Sequence, residues 1–432
     1  MSSIPTTPFT STGITLDHSW RWRHLLRAPH RLAFAAAMVV LMATSIWWAI
    51  TLSARLGWIA TWPLVASPTL AHGTMMTFGF LPLFFMGFLN TAGPRWLGVT
   101  EPSARDIVWP VSLQLAGWLL WVAGSLISPT VMIAGGAIAS FGLAWAYRNF
   151  GRLVRKSTAN DQTHGRAVLT AGYVGTISLA MLIVAFALDQ YGLARAALLT
   201  GFWGFIAVTF VTVAHRMIPF FTASAVPMVT VWRPYWVLYL LLVALAANLI
   251  PTWIRALGVE SSVIDVSVNF WLLVSGLIVI WLAIVWGLIK AISNRLLVML
   301  HIGFVWLGLS FLLVSVGHFW SWTTGTADWS LGALHATTMG FVGSLTMAMI
   351  TRVSCGHSGR PLKADGLMWT LFLLLQAIVV LRIGADMTIS TMSSWSLRLL
   401  SVASIGWTVI FMIWGIRLLT WYGKPRRDNQ PG

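Results

Sequence analysis

Twelve apolar runs of membrane-spanning length, joined by short loops that hold most of the basic residues, leave this chain few folds to adopt. A nearly uncharged run of about twenty residues crosses the bilayer core as an α-helix. Only helices and closed barrels satisfy every backbone hydrogen bond in that medium. The runs fall at 31–52, 67–92, 107–128, 130–147, 167–188, 195–215, 235–251, 266–289, 297–320, 329–351, 366–384 and 396–420. Composition agrees, with 58% hydrophobic and 9% charged residues, which is too apolar for a soluble domain of 432 residues. The expected fold is therefore all-α integral membrane, one bundle of about 12 transmembrane helices over residues 31–421. Residues 1–30 form a short N-terminal segment and 422–432 a tail.

The formal net charge of +16 would suggest nucleic acid in a soluble protein. Here the cations follow topology instead. With the N-terminus on the cytoplasmic side, 22 of the 27 Lys and Arg residues fall on the inner side. Only Arg55, Arg195, Arg255, Arg382 and Arg398 fall outside. The acidic residues divide 6 to 5, as expected of residues that the rule ignores. One span more or fewer would scramble this alternation, so both termini are expected to be cytoplasmic. The partner implied is the lipid bilayer, with no nucleic acid. Residues 1–17 lack the apolar core of a secretory signal. A single cysteine, Cys355, excludes an intramolecular disulfide framework. Many of the 27 tryptophans sit near span ends, as Trp47 and Trp48, Trp58 and Trp62, and Trp320 and Trp322 do, which fits an interfacial aromatic belt.

Histidines carry the chemistry. His72 and His335 each open an H-x-T-x-M-x-F pattern, running through Thr74, Met76 and Phe78 and through Thr337, Met339 and Phe341. An intramembrane histidine is costly unless its ring nitrogens are bound. Two in matching contexts suggest opposed axial ligands of one haem. Topology puts both in the outer leaflet, about 8 and 10 Å inside their helix ends, with His318 near the same surface. His30, His215, His301 and His357 lie near the inner surface. His301 and His318 share a span but stand about 25 Å apart, so they belong to different sites. His18, His24 and His164 are expected to be ordinary surface residues. A ligating imidazole is neutral and needs an acceptor for its second nitrogen, a role within reach of Thr74 and Thr337 for a neighbouring helix.

Each residue has a plainer reading. His72 and His335 could bond a helix backbone or a neighbouring hydroxyl. His318 could be interfacial, and His30 and His215 could meet headgroups. Cys355 is a soft potential copper ligand, but a lone thiol is usually inert. Met75, Met76 and Met339 are thioethers better explained by packing. Carboxylates are almost absent from the spans, which leaves a proton-coupled transporter without candidates. The chain has no phosphate-binding glycine loop, haem-attachment motif or nucleophile elbow.

The stretch from His335 through Met339, Gly340, Thr351 and Arg352 to Gly356-His357-Ser-Gly359-Arg360-Pro-Leu resembles the signature of the NnrS family. Pro29-His30-Arg31-Leu32, Pro94-Arg95-Trp96-Leu97, Arg216-Met-Ile-Pro219 and Leu300-His301-Ile-Gly303 extend the likeness over most of the chain. More weakly, His72-Gly73, Met76, Phe78, Pro82, Gly87-Phe88 and Asn90 are similar to the second span of the haem–copper oxidase catalytic subunit. There the histidine is an axial haem ligand partnered from the tenth span, where His335 stands here. The chain lacks the His-Pro-Glu, adjacent-histidine and His-x-His motifs of an oxidase metal centre.

The NnrS resemblance implies a multi-pass protein of the bacterial inner (cytoplasmic) membrane that carries haem and copper. It also implies action in the response to nitric oxide: binding it, transforming it or protecting against nitrosative stress, as in denitrification. The expected cofactor set is haem b on His72 and His335 with His318 in reserve, and copper, or a second haem, on His301 and His357 with His30 or His215. Catalytic residues and an electron donor are not specified by the sequence, nor is turnover. The alternatives are a divergent oxidase or nitric-oxide reductase and a 12-helix transporter.

Overall fold

The computed structural model describes residues 19–227, 229–326, 328–388 and 393–428. Within them lie 12 helices long and apolar enough to cross a membrane, so the chain is a multi-pass membrane protein. They are α1 (Pro29–Arg55), α2 (Pro68–Leu89), α3 (Ala104–Ile127), α4 (Pro129–Arg155), α5 (Thr163–Ala187) and α6 (Tyr191–Ala225). The remaining six are α7 (Tyr235–Ala256), α8 (Ser262–Val285), α9 (Arg295–Thr324), α10 (Ser330–His357), α11 (Gly366–Met387) and α12 (Ser394–Tyr422). No strand occurs among the described residues.

Local chemistry marks many of the ends. Proline, which needs no amide partner, opens α1, α2 and α4 in their first turn. The side chains of Ser261, Asn294 and Asp365 accept from the first-turn amides of Ile264, Leu297 and Met368 and so cap α8, α9 and α11. Gly325 ends α9 with φ of 70°, a conformation that strains any residue with a side chain.

Several helices outrun the apolar stretches that announce them. The fourth continues from residue 147 to Arg155, and the sixth extends to 35 residues, from Tyr191 to Ala225. Hydropathy stops where the bilayer stops, but the backbone ladder continues wherever the side chains can reach water. The extension of α4 carries Arg148, Arg152 and Arg155, whose long stems allow that.

Close helix packing comes from glycine. A side-chain carbon on Gly124 of α3 would stand 2.3 Å from the Met132 amide of α4, and one on Gly117 2.6 Å from the Gly135 carbonyl. In lipid, where apolar surface gives little drive to associate, such close approach is what holds helices together. Phe141, Ile177 and Val263 project from the outer surface, as lipid-facing residues do.

Burial singles out two helices. In α2 and α10, 83% and 78% of the apolar window lies inside the protein, against 67% for the next, α1. A helix apolar all round belongs at the centre. These two carry His72 and His335. The tryptophans split: Trp58, Trp320 and Trp322 are exposed near span ends, while Trp118, Trp121, Trp286 and Trp414 are wholly buried. The belt reading therefore holds for only part of the set. The first and last described segments meet at one end of the bundle, where the Arg21 amide donates to the Gly423 carbonyl at 2.8 Å.

Candidate functional site

His72 stands about one turn inside α2, and His335 about a turn and a half inside α10. Both starts lie at the end of the bundle opposite the termini. Between the two helices is a cavity of about 660 Å3, within the ~300–1,000 Å3 range of small-molecule and cofactor pockets. Both histidines line it, as do Met76 and Met339, one turn further along each helix. Phe78 and Phe341, two residues beyond, are fully buried in the core. The repeated motif thus puts equivalent residues in equivalent places: histidine and methionine on the cavity, phenylalanine behind.

The ring nitrogens are set for a ligand. His335 donates its Nδ1–H to the Leu331 carbonyl at 2.8 Å, which fixes the tautomer and leaves Nε2 as a lone pair. A backbone carbonyl on the far nitrogen is the usual support of a metal-bound histidine. The His72 ring stacks on Trp48, with centroids 3.9 Å apart and planes 15° apart. Its Nδ1 is buried with no hydrogen-bond partner among the described residues. Thr74 and Thr337 do not serve a neighbour as expected. Each bonds back to its own helix, to the carbonyls of Leu70 and Ala333.

Both helices change winding beside their histidine. Residues Met75–Gly79 of α2 and Ala336–Gly343 of α10 are π-helical, as are Phe202–Ala207 of α6, whose Phe202 also lines the cavity. Such wide turns are rare and cluster at functional sites. In α2, Pro82 cannot donate the amide that would bond Phe78, and the wide turn lies directly before it. The other two π segments have no proline within the four residues that follow them.

The cavity is mainly apolar but bears three arginines: Arg55 at the end of α1, Arg195 in the first turns of α6 and Arg382 on α11. Arg382 is buried, and its guanidinium lies near enough to act electrostatically on both histidines. Asp386, also buried, accepts a 2.6 Å bond from the Gly332 amide and so holds the first turn of α10, three residues before His335. The sequence reading, in which carboxylates are almost absent from the spans, leaves Asp386 out because it ends that span at residue 384, three residues short of Met387.

The remaining histidines disperse. His318 is half-buried beside Phe319 and does not line the cavity. At the termini end, His30 and His357 pair with ring centroids 4.3 Å apart. His215 lies elsewhere, donating Nε2–H to the Pro234 carbonyl at 3.2 Å and accepting at Nδ1 from His164 Nε2 at 3.0 Å. His301 donates to the Thr222 hydroxyl at 3.0 Å. The four inner histidines are thus three separate arrangements. Among the described residues, no group of three His, Cys, Asp or Glu side chains is placed to hold a metal. Two of the three supposed surface histidines need correction. His24 is buried and donates to the Gly423 carbonyl, and His164 is buried against His215. His18 lies outside the described residues.

A multi-pass helical protein with a central cavity flanked by two histidines is the class that fold and geometry define. The chain belongs to the NnrS family: the family model described as NnrS protein matches residues 24–426. Comparison with curated proteins returns no match.

Proposed function

We propose that this is a haem b-binding protein of the bacterial inner membrane that acts in the response to nitric oxide. One observation carries the haem reading: two histidines from the two most buried helices face one cofactor-sized cavity. One ring is locked in a ligating tautomer, and the other has an orphaned buried nitrogen. His72 and His335 would hold the iron, and the apolar walls would limit water around the macrocycle. Bound there, haem supplies reversible redox chemistry and affinity for nitric oxide. Membership of the NnrS family supports the nitric-oxide role.

The copper expectation fits less well. His301 and His215 already spend ring protons on Thr222 and Pro234, and they stand apart from His30 and His357. The residues that remain together supply two imidazoles, fewer than the three or four of ordinary protein metal centres. A copper role therefore rests on His30 and His357, the former with a buried unpartnered Nδ1. An oxidase-type second metal centre has still fewer donors to draw on.

The test is to purify the protein and record reduced-minus-oxidised spectra with iron and copper content, then add nitric oxide. The expected result is a haem b spectrum that shifts with nitric oxide. A colourless, iron-free preparation would rule the haem reading out.

A further inference from the structure

Arg382 has only 8% of its surface exposed, and its Nη1 is buried without a hydrogen-bond partner among the described residues. A guanidinium is charged at any working pH, and leaving one buried without its hydrogen-bond partners is strongly destabilising. Its acidic neighbour Asp386 acts on that charge through space and leaves Nη1 without a hydrogen-bond partner. Asp386 directs an oxygen to the Gly332 amide, and no ion pair among the described residues includes Arg382. Arg382 stands about a turn and a half inside the end of α11, at the depth of His335. Arg55 and Arg195 line the same cavity and are exposed at its mouth. All three belong to the five cations that charge alternation assigns to the side opposite the termini. Arg255 is paired with Asp265 at 2.9 Å, and Arg398 lies over Trp395. The cations left to face the cavity are therefore the three that line it.

We propose that these arginines form a carboxylate-binding subsite, in which Arg382 takes one peripheral carboxylate of the haem and Arg55 and Arg195 receive the other at the mouth. This rests on the haem reading of the cavity and adds an orientation to it, with the carboxylate edge turned toward the end opposite the termini. A guanidinium meets a carboxylate through paired N–H···O bonds, which would satisfy the orphaned Nη1. The pairing also explains why a charge is kept in an otherwise apolar wall.

The experiment titrates the haem-free full-length protein in detergent with hemin and with hemin dimethyl ester, whose carboxylates are blocked. Wild type is expected to prefer hemin by at least about tenfold, the size of one charge-assisted hydrogen bond. Arg382→Gln is expected to lose most of that preference and Arg382→Lys to keep part of it. Arg55→Gln with Arg195→Gln, at the exposed mouth where folding is not at risk, is expected to lower it less. Added acetate and phosphatidylglycerol are expected to leave the hemin titration unmoved. Equal binding of the two compounds by wild type, or full preference in Arg382→Gln, overturns the proposal and spares the haem reading. Competition by acetate or by the lipid assigns the arginines to that anion and overturns it as well. Binding of neither compound to wild type removes both.

Discussion

His335 and His72 show how much of a residue's role is set by its second ring nitrogen. The carbonyl of Leu331 takes the Nδ1 proton of His335, so Nε2 is the nitrogen left with a free lone pair. His164 and His215 carry the same logic to a different end. With Pro234 taking the Nε2 proton of His215, the chain of donors runs back to a buried, unprotonated Nδ1 on His164. The sequence contains all these histidines but not their tautomers, which depend on carbonyls that only the fold brings near. Arg382 was more legible, since a charge inside an apolar span already marks a functional residue. Counting it as a loop cation hid that signal. Asp161 gives a pH-dependent test at this scale. Tyr235 donates to its carboxylate and holds its pKa down to about 2, from the usual 3.8. A depressed carboxyl contributes stability in full above its unfolded value, and the contribution is lost as pH falls through the folded one. Asp161 is exposed, so the contribution is small. Thermal unfolding in detergent between pH 5 and pH 2, compared for wild type and Asp161→Asn, should show a shallower acid decline in the variant.

Apolar runs were sufficient to count and order the helices. Several boundaries moved outward, and in α4 the added turns carry Arg148, Arg152 and Arg155. Invisible from sequence were the π-helical turns beside His72 and His335, since the hydrophobic pattern of a buried helix carries no face to reveal a change of winding. Equally hidden was the contact from Asp386 of α11 to the start of α10, which holds His335 in register with Arg382. Removing it with Asp386→Ala leaves the Gly332 amide buried and unpaired, at a cost of about 1–3 kcal/mol. The variant should therefore unfold at lower temperature and bind haem more weakly. Asp386→Asn, which keeps an acceptor, should lose less. Calorimetry and hemin titration on both variants read these two effects separately.

At the scale of the molecule, the bundle holds α2 and α10 among ten less buried helices, and the cavity between them opens at the end where Arg55 and Arg195 are exposed. The meeting of Arg21 with Gly423 and of Arg31 with the Lys424 carbonyl puts both ends of the described chain on one side. The charge asymmetry of the loops is the ground for expecting that side to be cytoplasmic. Reporter fusions check this: a fluorescent protein after residue 428 should fold and fluoresce, and alkaline phosphatase in the 56–67 loop should be active. The opposite pattern would invert the orientation of the cavity and its arginines. The overall layout was readable because lipid permits so few backbone solutions. That His72 and His335 line one cavity was legible because their motifs match. The copper expectation depended on His301 and His357 meeting each other and either His30 or His215, and depth along a helix does not say which way a side chain turns.

The central claim is that His72 and His335 are the two axial ligands of one haem. Electron paramagnetic resonance of the oxidised, purified protein tests it most directly, with haem content measured on each sample. Wild type should give the low-spin signal of two-histidine coordination. His72→Ala and His335→Ala should each lose that signal, while His301→Ala and His318→Ala keep it. An intact low-spin signal in either of the first two variants would contradict the account.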